Sequence, residues 1–193
     1  MIPRRLLIAV IVLVLGVFGL GLYVGRVVRK VRQPAPAMVD TRPVAPPASG
    51  TPVTVVLFVA DDTDGTLHRQ TASVSLPGEP AKREREILRV LVAQYQENAS
   101  PHPLGAGADI TDVYLVNGNL AVVDANSLFA DGHRSGILVE ELTLASLAET
   151  LAANLPGITR MKLLVDGKER PTLAGHAGLT EPYSVAEANR LVK

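Results

Sequence analysis

A chain of 193 residues with neither cysteine nor tryptophan has room for one domain plus appendages. It can build no disulfide, thiolate nucleophile or cysteine-ligated metal site. The formal net charge of zero hides a split. Seven of the 19 basic residues but only one of the 19 acidic ones precede Thr51, which leaves 12 basic against 18 acidic residues from there on, a formal charge of −6. An acidic domain with few aromatic side chains repels polyanions and lacks stacking platforms, so nucleic acid is excluded as a partner.

Residues 1–30 read as a membrane anchor with basic flanks. Leu6 to Gly25, LLIAVIVLVLGVFGLGLYVG, holds no charged residue, and a helix of ~20 residues at ~1.5 Å each spans the ~30 Å of a bilayer's hydrocarbon. Arg4 and Arg5 flank one end; Arg26, Arg29, Lys30 and Arg32 flank the other. No small-x-small cleavage site follows closely, so an uncleaved single-pass anchor is expected, with a cleaved signal peptide as the alternative. Counted alone, the flanking charges put the folded part in the cytoplasm. Residues 31–52 form a linker with Pro34, Pro36, Pro43, Pro46, Pro47 and Pro52, an extended and semi-rigid spacer.

The folded domain is expected over 53–184, with 185–193 as a short helix or tail. Val53–Ala60, VTVVLFVA, is a β-branched run that reads as a strand buried on both faces. Asp61-Asp62-Thr63-Asp64-Gly65 resembles the start of a calcium loop, but the remaining ligands are missing, and a hairpin turn into Thr66–Leu76 is the expectation. Glu79-Pro80 opens a helix to about Glu97 with Leu88, Leu91, Val92 and Tyr95 on its apolar face. Ile110–Val116 and Leu120–Asp124 flank Asn117-Gly118, the strongest two-residue hairpin signal. A polar loop holds His133 and Arg134. The next helix carries an apolar stripe of Leu144, Leu147, Ala148, Leu151 and Leu155, ended by Pro156-Gly157. Met161–Val165 then reads as a strand, and Asp166-Gly167 as the turn of a last hairpin. The order β-β-α-β-β-α-β-β implies an α+β fold with two helices packed on a mixed sheet.

No reactive constellation is visible. His68, His102, His133 and His176 lie outside ligand spacing of one another, and there is no G-x-S-x-G, Walker loop or G-x-G-x-x-G. Asp131, His133 and Ser135 are triad residue types, but neighbours in one loop do not present nucleophile, base and orienter in line. The expectation is a protein without enzymatic activity, cofactor or metal. Glu140 and Glu141 suit the dipole at the start of their helix. A polar cluster of His133, Arg134, Glu141, Asp166, Arg170 and His176 is the place to look for a small ligand or partner, against the plainer reading that these groups cap loops and turns.

Three segments carry a family resemblance. Ser135–Leu179, and above all VDGKERPTLAGH within it, resembles the GerMN domain of sporulation and spore-germination proteins of the GerM type. VVLFVADDTDG, Val55–Gly65, is similar to that domain's first strand and turn, and VYLVNGNLAVVDANSLF, Val113–Phe129, to its middle strands. The resemblance implies a non-enzymatic, extracytoplasmic module of the bacterial cell envelope, on a single-pass membrane anchor, with a fold similar to ring-building motifs. It outweighs the charge count on orientation. The implied partners are an envelope protein or a second copy, with peptidoglycan or another small envelope ligand as the alternative.

Overall fold

The computed structural model describes residues 52–193. The expected anchor and nearly all of the Pro-rich linker lie outside the described residues. No helix among the described residues is long and apolar enough to cross a membrane.

β1 (Pro52–Asp61) and β2 (Thr66–Ser75) form an antiparallel hairpin in unbroken register from Pro52↔Ser75 to Asp61↔Thr66. The Asp61–Gly65 stretch is therefore a turn, and Gly65 takes φ +68° there, where L side chains are strained. β1 is buried on both faces, as its β-branched run implies: Leu57 and Ala60 are fully enclosed, and Val55 and Val59 nearly so. α1 (Pro80–Tyr95) starts with Pro at its first turn, where the missing N–H costs nothing. It buries Ile87, Leu88, Leu91, Val92 and Tyr95.

β3 (Ile110–Val116) and β4 (Leu120–Ala125) pair antiparallel. Asn117 and Gly118 take φ 52° and 71°, the mirror-image turn that matches strand twist. After β4 the chain forms α2 (Ser127–Asp131) and α3 (Ile137–Asn154), then β5 (Arg160–Val165), which returns parallel to β4. β6 (Tyr183–Ser184) closes the far edge against the start of β5, followed by α4 (Val185–Ala188) and a 3₁₀ turn, Asn189–Leu191. The strands thus form a two-stranded sheet, β1-β2, and a mixed four-stranded sheet in the order β3-β4-β5-β6.

Three expectations change here. The strands divide into two sheets instead of one. The expected polar loop after β4 contains α2, because the Asn126 side chain accepts the Phe129 N–H at 3.0 Å and caps a turn that buries Phe129 and Ala130. The last hairpin turns as expected, with Asp166 and Gly167 at φ 50° and 70°, but its return strand stops after a single Val165–Lys168 bridge. Glu169 is drawn to Lys162 and Arg170 to Asp131, and Pro171 has no N–H to continue a ladder. β6, twelve residues beyond Pro171 in the chain, takes the place next to β5.

α3 holds the layers together through two stripes. Leu144, Leu147, Ala148 and Leu151 are buried at the spacing the sequence shows. Beside them runs a polar ridge of Ser146, Thr150 and Asn154, four residues apart, that faces the free edge of β1. Thr150 Oγ1 accepts the Phe58 N–H at 3.0 Å and Ser146 Oγ donates to the Phe58 carbonyl at 2.7 Å. Asn154 accepts the Val56 N–H at 3.0 Å and donates to the Val56 carbonyl at 2.6 Å. The Tyr95 hydroxyl of α1 accepts the Ala60 N–H at 2.8 Å and meets Ser146 Oγ at 2.5 Å. Helical side chains thus do for β1 what a neighbouring strand would do, and its backbone groups are paired despite their burial.

Candidate functional site

The polar ridge of α3 continues one step toward its N-terminus to Thr143, and there it meets two buried histidines. His102 arrives from the loop after α1 and has no exposed surface; His133 arrives from the loop after α2 and is 8% exposed. Thr143 Oγ1 lies 2.7 Å from Nε2 of both rings. His102 Nδ1 faces Asp62 Oδ1 of the β1–β2 turn at 2.6 Å, and His133 Nδ1 faces the Arg134 carbonyl at 2.7 Å. The Arg134 guanidinium bonds the other Asp62 oxygen. The Tyr95 ring packs edge-on against His102 with centroids 4.8 Å apart. Three separate loops are tied into one pole of the domain by this chain of contacts. Burial pushes both imidazoles below their ordinary range; Asp62 opposes the shift at His102, and the Arg134 carbonyl opposes it at His133.

A second knot lies beside it. The Glu140 side chain has no exposed surface. Its Oε2 accepts the N–H groups of Ala174, His176 and Ala177 at 2.9–3.0 Å. Its Oε1 accepts the Gly136 N–H at 3.2 Å and meets His176 Nδ1 at 3.0 Å. Burial alone would raise this carboxyl, but the loop amides and His176 hold it down to about 2. Ser135 Oγ also meets His176 Nδ1, at 3.2 Å. Serine, histidine and glutamate are together, but both partners use the same ring nitrogen. A proton relay needs the nucleophile on one nitrogen and the acid on the other, and this arrangement has no such path.

The six residues of the expected cluster fall into separate groups. His133 and Arg134 belong to the two-histidine network, and His176 to the Glu140 knot. Arg170 pairs with Asp131 at 2.6 Å. Asp166 sits in the turn after β5, where its carboxylate accepts the Ser127 N–H at 3.2 Å. Glu141 lies near Tyr183, whose phenol is pushed up by burial and by the charges of Glu141, Glu187 and Glu149. The residues that organise this pole are Asp62, His102, Thr143 and Glu140. Of these, Glu140 lies on the stripe of Leu144, Leu147 and Leu151 extended by one turn, so periodicity separates it from Glu141. Thr143 is the polar member next to an apolar stripe. His102 and Asp62 carry no such signal.

Among the described residues one group has metal-ligand types within reach of one another: Asp61, Asp64 and His68, with ligand atoms inside 4.8 Å. Its place is already charged. Asp64 Oδ2 takes His68 Nε2 at 3.0 Å and Lys193 Nζ at 2.9 Å, while Oδ1 accepts the Thr66 hydroxyl at 2.6 Å. The Thr66 and Lys193 bonds hold the Asp64 carboxyl well below the usual range.

A β-hairpin, a helix, a second hairpin and a crossover helix into a parallel strand, locked by side chains of that helix, define a GerMN-type α+β domain. The family described as Germane, sporulation and spore germination, matches residues 56–171, and the chain belongs to that family. Among solved structures, the tandem GerMN domains of the sporulation protein GerM from Bacillus subtilis superpose with a TM-score of 0.54 at 18% identity. That match covers 71% of this chain and 48% of the other, so the chain spans about half the length of that relative. The first GerMN domain of the same protein gives a TM-score of 0.49 at 18% identity, over 68% of this chain and 97% of that one. A putative lipoprotein from Clostridium perfringens gives 0.44 at 18% identity, over 78% and 98%. No curated protein matches in sequence.

Proposed function

We propose that the chain is a non-enzymatic interaction module of the bacterial cell envelope. It is anchored in the membrane by Leu6–Gly25, and its folded domain lies outside the cytoplasm and assembles with a protein partner. Family membership and the uncharged run near the N-terminus support this reading. The observation that carries it is the way the ionisable groups at the pole are used. Asp62, Glu140, His102, His133 and His176 are each bonded to other groups of the chain, and the one serine–histidine–glutamate contact meets on a single nitrogen.

The test has two arms in intact cells. A reporter fused after Lys193 should be active only outside the cytoplasm. Photocrosslinkers placed in turn at exposed positions, including Tyr114 and Ile137, which are 51% and 69% exposed, should trap the same defined protein in repeated trials. A cytoplasmic reporter, or a domain that forms no crosslink from any exposed position, overturns the proposal.

A further inference from the structure

The mixed sheet has two unlike faces. One carries Val113, Ala121, Val123, Met161 and Leu163, all buried under the helices. The other follows the opposite alternation: Asp112, Tyr114 and Val116 on β3 stand across from Asp124, Val122 and Leu120 on β4. Over β5 this second face is covered at Lys162, which is 8% exposed and bonds the Thr180 carbonyl and Glu169 of the following loop, while Arg160, beside Leu120, is exposed. Over β3 and β4 it is open. Tyr114 is 51% and Val116 37% exposed, while Leu120 and Val122 are half-buried.

The carboxylates gather at one end of this open face, and its cations, Lys162 and Arg160, stand beside Val122 and Leu120. Asp112 and Asp124 are directly opposite each other in the register. Side chains at such positions have Cβ atoms about 4.5–5.5 Å apart, and like charges there repel. Asp112 accepts the Val113 N–H at 2.9 Å and Asp124 the Gly167 N–H at 2.8 Å. Neither makes an ion pair among the described residues. The Asp112 charge also pushes the Tyr114 phenol up. Over β3 and β4 the face therefore reads, along the strand direction, as a negative row followed by two apolar rows, with Arg160 of β5 beside the last.

We propose that this face docks an extended segment of a protein partner in which a lysine or arginine is followed, at alternate positions, by two aliphatic residues. Alternation places those three side chains on one face of the segment. The cation lies between the two carboxylates and relieves their repulsion, and the aliphatic pair covers Tyr114, Val116, Leu120 and Val122. This rests on the reading of the domain as an assembly module and names the chemistry of its partner.

The experiment titrates the full chain, held in detergent micelles, with the synthetic peptide Lys-Ser-Val-Ser-Val-Ser and its Glu-Ser-Val-Ser-Val-Ser counterpart. Amide chemical shifts of β3 and β4 are followed. The lysine peptide should shift Asp112–Val116 and Leu120–Asp124, and the glutamate peptide should not. Asp112→Asn combined with Asp124→Asn keeps an oxygen acceptor for both backbone N–H groups and should weaken binding at least tenfold. Added salt should weaken the native chain's binding more than the variant's. Tyr114→Ser should weaken binding with the charges intact. Equal binding of the two peptides, no shift with the lysine peptide, or full affinity in the double Asn variant overturns the proposal. So does a crosslink from Tyr114 to a second copy of the chain in place of another protein. A protein trapped from Ile137 but not from Tyr114 sinks this face and leaves the assembly reading standing. No capture from any position sinks both.

Discussion

The backbone N–H of Phe58, in the middle of β1, donates to the Thr150 hydroxyl of α3 at 3.0 Å, across 92 residues of chain. With the Ser146 and Asn154 contacts it makes the helix a surrogate strand. This has a direct cost consequence, because the groups involved are buried and have no water to fall back on.

Replacing Thr150 with Val keeps the shape and removes the acceptor. An unpaired buried donor costs about 1–3 kcal/mol, so urea unfolding should show a loss in that range. Exchange of the Phe58 amide should accelerate more than that of its β2-facing neighbours. Asn154→Leu strips both Val56 groups and should cost more than Thr150→Val. If it costs less than about 0.5 kcal/mol, the surrogate-strand account is wrong.

Glu140 sets an acid limit on the fold. Its folded pKa of about 2 lies below the ordinary Glu range, so the unfolded state binds the proton first. The stabilisation is complete above the unfolded value of about 4.3 and is lost as pH falls through the folded value. The gap corresponds to roughly 3 kcal/mol for this buried group. Urea midpoints of the native chain should drop steeply between about pH 4 and pH 2. Glu140→Gln should be less stable at pH 7 and show a shallower drop over that window.

The two buried imidazoles act in a separate, higher window. Burial lowers both pKa values, so the unfolded chain takes up these protons more readily. Their contribution is whole above about pH 6.5, the unfolded value, and is lost as pH falls through the lower folded values. His102→Asn should lower stability at pH 7 and flatten the pH dependence just below 6.5. Two-dimensional NMR of the ring nitrogens should show His102 and His133 still neutral at about pH 6.5, the ordinary midpoint of an imidazole.

Ser135 offers a check on the absence of turnover. With Ser135 and Glu140 both on Nδ1 of His176, no path leads from the hydroxyl through the ring to the carboxylate. A fluorophosphonate probe should leave Ser135 unlabelled. Ser135→Ala should stay within about 0.5 kcal/mol of the native stability. Covalent labelling of Ser135 would reopen a hydrolase reading.

Much of the fold is legible in local patterns. Asn117-Gly118 and Asp166-Gly167 announce their turns because both central residues of each must take positive φ. Leu144, Leu147 and Leu151 announce the packed face of α3 by spacing alone. What sequence does not show is pairing at a distance. Thr143, Ser146, Thr150 and Asn154 look like ordinary helix residues until β1 is set against them. Asp62 and His102 meet 40 residues apart across two loops, and no period links them. The expected cluster includes Glu141 and leaves out Glu140; one further turn of the leucine stripe selects Glu140. The missing return strand after Asp166-Gly167 is the reverse case, where a correct turn signal was overruled by Pro171 and by ion pairs with distant partners.

The parallel pairing of β4 with β5 carries a consequence for synthesis. β1 with β2, and β3 with β4, can zip as local hairpins while the chain is still emerging. β4 cannot gain its second neighbour until Arg160 and the residues after it have been made, because α2 and α3 intervene. Closing that long loop is entropically slow relative to the hairpins. Until β5 docks, a chain folded as far as α3 holds one flank of its larger sheet bare.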